Sequence, residues 1–331
     1  MKQLVALILC LVAATGSADP VGRVLDTHVL PGFARLVEET ASLAAAAEVA
    51  CDERDPDLRA ALNGALRAWA GVSHLRFGPT EAENRAFALA FWPDSRGMTP
   101  KALAGLIAAE DPVVQNAQAF AQVSVAARGL YALEFLLYDE GLTGSEAYRC
   151  ALIRAIARDS AGLAQAMVAD WRDRYAALMR AGGPESPYRS QDEAMQELFK
   201  ALGTGLQITA DLRLGRPMGT FDKPRPKRAE AWRAGLSLSL VIAALNSQKQ
   251  LALMLAEGDA GLQERLGATF DRALASAAAL DDPALAGVTT PDGRVRVEAL
   301  QQRVNEIREL VAQELGPELG VSAGFNALDG D

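Results

Sequence analysis

The stretch Gly129-Leu130-Tyr131-Ala132-Leu133-Glu134-Phe135-Leu136-Leu137-Tyr138 decides how this chain folds. It reads as the middle of a helix that is apolar on nearly every side, and such a helix is buried among others. One carboxylate, Glu134, interrupts it. Tyr131 lies three residues earlier on the same face, and Arg128 lies one helical step before Tyr131. A buried carboxylate must be paired, protonated or bound to a cation. Glu134 is therefore the first candidate site residue. The plain alternative is a structural carboxylate paired with an arginine from a neighbouring helix.

Outward from this stretch the chain keeps helical spacing, Ala and Leu dominate, and period-two β-branched runs are absent. The spacing predicts helices over 26–51, 56–76, 100–109, 112–138, 145–181, 190–213, 227–257, 260–279 and 293–315. Breakers fall between them, at Asp55-Pro56, Gly78-Pro79, Trp92-Pro93, Gly141, Gly182-Gly183-Pro184, Gly215-Arg216-Pro217 and Gly316-Pro317. Long helices with short connections imply an all-α protein of antiparallel bundles. Ala181–Pro187 is the best internal boundary, dividing the chain into a 19–183 bundle and a 184–331 bundle. Arg233-Ala234-Gly235-Leu236 weakly echoes Arg128-Gly129-Leu130.

The N-terminus has the form of an export signal: Lys2, an apolar run from Leu4 to Ala14, and small residues at Gly16-Ser17-Ala18. Cleavage after Ala18 removes residues 1–18 and places the protein in the periplasm. No later stretch is an uninterrupted apolar span, so no transmembrane segment is expected. Cys51 and Cys150 then remain, and in an oxidising compartment an even pair reads as a disulfide. The formal net charge is −9, and loss of Lys2 makes the mature chain one unit more negative. That excludes a nucleic-acid partner. The basic run Lys223-Pro224-Arg225-Pro226-Lys227-Arg228 reads as a solvated linker into the next helix.

Loops on a rigid scaffold are favoured places for binding residues. Two irregular segments qualify: Phe91-Trp92-Pro93-Asp94-Ser95-Arg96-Gly97, and the ending Gly324-Phe325-Asn326-Ala327-Leu328-Asp329-Gly330-Asp331. The chain has two histidines. His28 opens the first helix and is a candidate ligand; His74 follows small residues and reads as a surface or helix-packing residue. Trp69, Trp171 and Trp232 read as helix-packing aromatics, and Trp92 as a candidate wall of the site.

These motifs together resemble the imelysin-like family, filed under the peptidase M75 name and including iron-regulated periplasmic proteins. The resemblance rests on Arg76-Phe77-Gly78-Pro79, Phe91–Gly97, Gly129–Leu137, Arg213-Leu214-Gly215-Arg216-Pro217 and the Gly-Phe-Asn…Asp-Gly-Asp ending. The family signature is Gly-x-His-x-x-Glu. Here Gly129 and Glu134 match it, but Tyr131 stands at the histidine position. The resemblance implies two bundle-like helical domains with a site in the crevice between them. That site would gather Tyr131, Glu134, Asp94, Arg96, Arg76 and Trp92, with Arg213 and Arg216 approaching from the second bundle.

The resemblance also implies a periplasmic binding protein of iron acquisition, holding a metal ion or an anionic iron chelate. Its partners would be a small ligand or iron complex and other envelope iron-uptake proteins. A metal would call on Glu134, Tyr131 and His28. Arg76 and Arg96 suit a carboxylate-bearing chelate, because guanidinium groups grip carboxylates bidentately. A phenol binds metal well only as phenolate, and catalytic zinc commonly takes two or three nitrogen ligands. The divergent metallopeptidase reading is therefore the weaker alternative. A partner-binding module with a vestigial site is the third.

Overall fold

Helix starts follow the capping chemistry written in the sequence. Asp55 accepts from the Leu58 amide at 2.8 Å, and Asp259 from the Leu262 amide at 2.9 Å. Ser145, Ser190 and Thr290 cap in the same way. The computed structural model describes residues 19–321. The expected signal peptide and the Gly324–Asp331 ending lie outside the described residues.

The long helices are as follows. α1 covers 20–49 as Pro20–Val24, a π turn at Leu25–Val29, and Leu30–Val49. α2 is Pro56–Val72, α3 is Met98–Ala109 and α4 is Gly129–Tyr138. α5 covers 146–181, with a π turn at Trp171–Tyr175. α6 covers 191–218, with a π segment at Ile208–Leu214. α7 is Ser237–Leu255 and α8 is Ala260–Ala278. α9 covers 291–318, with a π turn at Val311–Leu315. The fold is all-α: among the described residues the only β pairing is an isolated bridge between Thr220 and Lys223.

α1 lies against α2 and α5, and α4 against α5, α2 and α3. After the Gly182-Gly183 break, α7 packs on α6 and α8, and α9 on α8 and α6. α2 and α7 join the two sets. Buried apolar side chains form one connected cluster from Val21 to Leu315. Trp171, fully buried, meets Phe33, Phe77 and Tyr175 with ring centroids 5.1–5.7 Å apart, so its packing role holds. α7 is the one described helix long and apolar enough to cross a membrane. Half of that span is buried in the core, and its inward face carries Gln248.

Two expected helices are not single helices. Residues 112–138 break into short turns at 112–115, 117–120 and 125–127 before α4 begins. The reason is local: Asp111, Asn116 and Ser124 each turn back onto a backbone amide, at 2.8–3.4 Å, and such bonds compete with the helical ladder. Gly129 completes the break. Its φ is +76°, and a Cβ there would lie 2.2 Å from the Leu89 carbonyl oxygen, so only glycine fits. The second is 227–257, where helix begins only at Ser237. Residues 219–236 form an irregular strap, whose purpose appears at the site. The helix expected over 56–76 stops at Val72, leaving Ser73 and His74 in a turn.

Cys51 and Cys150 are bonded, with Cα atoms 5.0 Å apart and a sequence separation of 99. The bond staples the end of α1 to the start of α5. Titration of the unfolded, unreduced mature protein should find no free thiol. Replacing both cysteines by serine should lower stability by about 4 kcal/mol through loop-closure entropy, measured by denaturant melts.

Candidate functional site

A chain of buried polar groups lies where elements before and after Gly182-Gly183 meet. α4 supplies Tyr131 and Glu134. The turn after α2 supplies Ser73 and His74, the π turn of α1 supplies His28, and the π segment of α6 supplies Thr209 and Arg213. The strap supplies Glu230. Arg213, Glu134 and Glu230 are each at most 3% exposed. A π turn locally rearranges the i→i−4 ladder, and such turns recur at functional positions.

The Tyr131 hydroxyl donates to Glu230 Oε1. Arg213 Nε donates to Glu230 Oε2 at 2.5 Å. The same guanidinium reaches Ser73 Oγ at 3.1 Å and Thr209 Oγ1 at 3.4 Å. Both Glu230 oxygens are thus bonded at a junction where an unpaired carboxylate would be costly. Burial and the Glu230 charge push the Tyr131 phenol well above its usual range, so it is neutral. Trp92 stands beside it, ring centroids 6.4 Å apart.

Glu134 is satisfied differently. Its Oε1 accepts the backbone amides of Arg233 at 2.9 Å and Ala234 at 3.3 Å. The Arg233 guanidinium goes instead to Asp139 Oδ2 at 2.8 Å and lies over the Phe135 ring at 3.7 Å. Burial raises the Glu134 pKa to about 7, against the Arg233 charge and the two amides. Glu134 is therefore held by backbone from the strap, not by the side-chain ion pair weighed from the sequence. This explains why the strap is not helix: helical amides would be spent within the ladder. Ala231, at φ +48°, turns the chain between Glu230 and these two amides.

The two histidines form a third part. Gln250 Nε2 donates to the Thr27 carbonyl at 3.2 Å, which orients its Oε1 toward His28 Nδ1 at 3.1 Å. His28 Nδ1 then carries the proton. Its bare Nε2 faces His74 Nε2 at 3.3 Å, so His74 donates there. His74 Nδ1 is left buried without a partner among the described residues. Burial lowers both imidazole pKa values, and for His74 the His28 and Arg213 charges add to it. α6 passes so close that a Cβ on Gly205 would lie 2.5 Å from His74 Cβ.

Several sequence-predicted residues lie elsewhere. Asp94 spends both oxygens on the amides of Arg96, Met98 and Thr99, capping α3; these bonds hold its pKa low against partial burial. Arg96 is exposed. Arg76 pairs with Glu81 and lies 4.9 Å from the Phe87 ring centroid. None of the three shares a hydrogen bond with Tyr131 or Glu134. Arg216 is half-buried beside the strap, and Arg213 does reach the site. Of the expected metal set of Glu134, Tyr131 and His28, His28 shares no hydrogen bond with the other two among the described residues; its two ring nitrogens face Gln250 and His74. Arg128, the residue before α4, grips Asp159 with two bonds of 2.7 and 2.9 Å. His74 is buried in the polar cluster rather than at the surface. Glu230 went unread because it sits in a segment that scans as helix.

The imelysin family model, Peptidase M75, matches residues 29–311. This chain belongs to the imelysin family. An imelysin-like protein from Psychrobacter arcticum 273-4 has the same fold, with a TM-score of 0.78, 20% identity, and coverage of 97% of this chain and 100% of its own. A protein described as an iron-regulated protein A precursor, from Parabacteroides distasonis ATCC 8503, superposes at a TM-score of 0.73, with 12% identity and coverage of 90% and 96%. None of the curated proteins compared with the chain matches it.

Glu134 binds a proton more readily in the fold than in the unfolded chain. Its contribution to stability is therefore greatest at acid pH and is lost as pH rises from its unfolded value towards about 7. Gln can accept the same two amides without the charge. Glu134→Gln should match wild type near its unfolded pKa and exceed it by about 3 kcal/mol in mildly alkaline buffer. Paired denaturant melts across that window check this. A mutant less stable than wild type at alkaline pH would contradict it.

Proposed function

We propose that this imelysin-family chain is a periplasmic binding protein of iron acquisition, which holds an anionic iron chelate where its two helical bundles, 19–183 and 184–331, meet. One observation carries the reading. Arg213, a guanidinium buried at the junction, is occupied by a carboxylate that arrives on an irregular strap rather than on a helix. A chelate bearing carboxylates offers the same group. It can replace Glu230 on Arg213, since the guanidinium fork matches a carboxylate bidentately. Tyr131 and Ser73 then supply neutral hydrogen bonds beside it.

The chelate suits these residues better than a bare ion does. Among the described residues no three His, Cys, Asp or Glu side chains converge. The Tyr131 phenol is held neutral, and a neutral phenol is a poor ligand. A chelated ferric ion brings its own oxygen donors. Arg213, rather than Arg76 or Arg96, is the grip for the chelate carboxylate. The hydrolytic alternative gains nothing from the two histidines, which bond to each other. The Parabacteroides protein of the same fold is described as iron-regulated, which supports iron as the chelated metal; other envelope iron-uptake proteins would be the partners.

Calorimetric titration of the mature protein with ferric citrate tests the reading, alongside native mass spectrometry and elemental analysis of protein taken from its own periplasm. Arg213→Lys keeps the charge opposite Glu230 but loses the fork. It should weaken ferric citrate binding tenfold or more, about 1.4 kcal/mol, while the ligand-free melt stays near that of wild type. Equal affinity of the two proteins, or no binding by either, overturns the proposal.

A further inference from the structure

The strap that carries Glu230 also carries four cations in six residues: Lys223, Arg225, Lys227 and Arg228. All four are exposed. Arginines elsewhere in the chain repeatedly pair with acids, yet none of these four has a carboxylate within ion-pair distance among the described residues. Asp222 is the single acid in the run. Phe221 stands beside them, 76% exposed, the most exposed aromatic side chain described.

The loop is built rather than slack. Thr220 pairs with Lys223, the Arg225 amide donates to the Pro217 carbonyl at 2.8 Å, and the Arg228 amide to the Arg225 carbonyl at 2.8 Å. Arg294 on α9 holds it from below, donating to the carbonyls of Met218 at 2.7 Å and Thr220 at 3.1 Å. Asp139, just after α4, feels the Lys227 charge, but its Oδ2 is already taken by Arg233. Glu298 is taken by Arg294. Asp282, beside the turn packed on 226–228, spends its oxygens on the amides of Ala286 and Gly287. Arg216 is crowded by Arg228, and together with burial this lowers its pKa; its buried Nε has no partner among the described residues. A protein of net charge −9 here concentrates like charge, and among the described residues Lys227 finds only the Trp232 ring, 5.4 Å from its centroid, while none of the four finds an ion-pair partner.

An apolar ring flanked by cations in a stiff exposed loop has the chemistry of an interfacial anchor, since it offers something to the acyl boundary and something to the headgroups. An acidic protein surface would satisfy the cations but has no use for the exposed ring. We propose that loop 220–228 docks this protein on an anionic lipid bilayer, with Phe221 entering the headgroup boundary and the four cations facing lipid phosphates. The acidic remainder is repelled, which fixes the orientation with the strap toward the membrane.

Co-sedimentation of the mature protein with phosphatidylglycerol-containing vesicles, and with pure phosphatidylcholine vesicles, tests this. Binding is expected to the former only and to fall with salt. Lys223→Gln with Arg225→Gln should lower partitioning about thirtyfold, roughly fivefold for each cation removed. Phe221→Trp should show a blue-shifted indole emission on the anionic vesicles. Arg35→Gln, an exposed change on α1, should alter nothing. Failure to bind anionic vesicles at low salt, or equal binding by the double variant, overturns the proposal. So does retention on polyglutamate beads by a protein that ignores vesicles, which would make the partner an acidic protein.

Discussion

Two carboxylates buried at one helical junction set the terms for everything around them. Neither Glu134 nor Glu230 can be left alone there, and the chain satisfies each by a different means. Glu230 takes a guanidinium and a phenol. Glu134 takes two backbone amides, and amides can be offered sideways only by a segment that is not a helix. Hence a long helix is withheld from residues 219–236, and Ala231 accepts a left-handed backbone at a cost of about 1 kcal/mol. On the other side of the junction, α4 must bring Glu134 and Tyr131 forward together, and Gly129 is the hinge that allows it.

Gly129, Tyr131 and Glu134 acquire a physical meaning in this frame. Gly129 is a packing requirement, dictated by the Leu89 carbonyl. Glu134 is a receptor for backbone amides. Tyr131 donates one proton and, being buried beside Glu230, does not ionise. An imidazole would offer a second nitrogen and a charge change near neutrality; a phenol offers neither. The chain's two histidines bond to each other, and burial keeps them neutral too. The junction therefore carries one exchangeable charge near neutral pH, on Glu134.

The architecture was largely legible in the sequence because helices are announced locally: caps, breakers and apolar spacing are all read within a few residues. α5, α8 and α9 fall close to their expected limits for this reason, and the Cys51–Cys150 bond followed from compartment and count. The failures have a common cause. In 112–138 the composition is helical, but Asp111, Asn116 and Ser124 intervene at spacings that terminate turns. In 227–257 the first ten residues scan as helix and are overruled by a contact with α4, distant in sequence. Glu134 and Tyr131 were found because a charge within an apolar helix is conspicuous. Glu230 was missed because a charge within a polar segment is not. The echo between Arg128-Gly129-Leu130 and Arg233-Ala234-Gly235-Leu236 was the one available hint, since both runs lie against the junction. Asp94 stands in a loop and is followed by amides, and in the structure its oxygens cap α3.

The ion pair at the junction is distributed unevenly along the chain. Arg213 and Glu230 lie on the same side of Gly182-Gly183, so the later part of the sequence brings its own neutralised charge. The earlier part brings Glu134, whose amide donors belong wholly to the other part. As separate fragments the two would not be equals: one is electrically self-sufficient, the other carries a carboxylate with nothing to hold it. Folding of the earlier part therefore leaves Glu134 protonated or open to water until residues 233 and 234 dock and complete it.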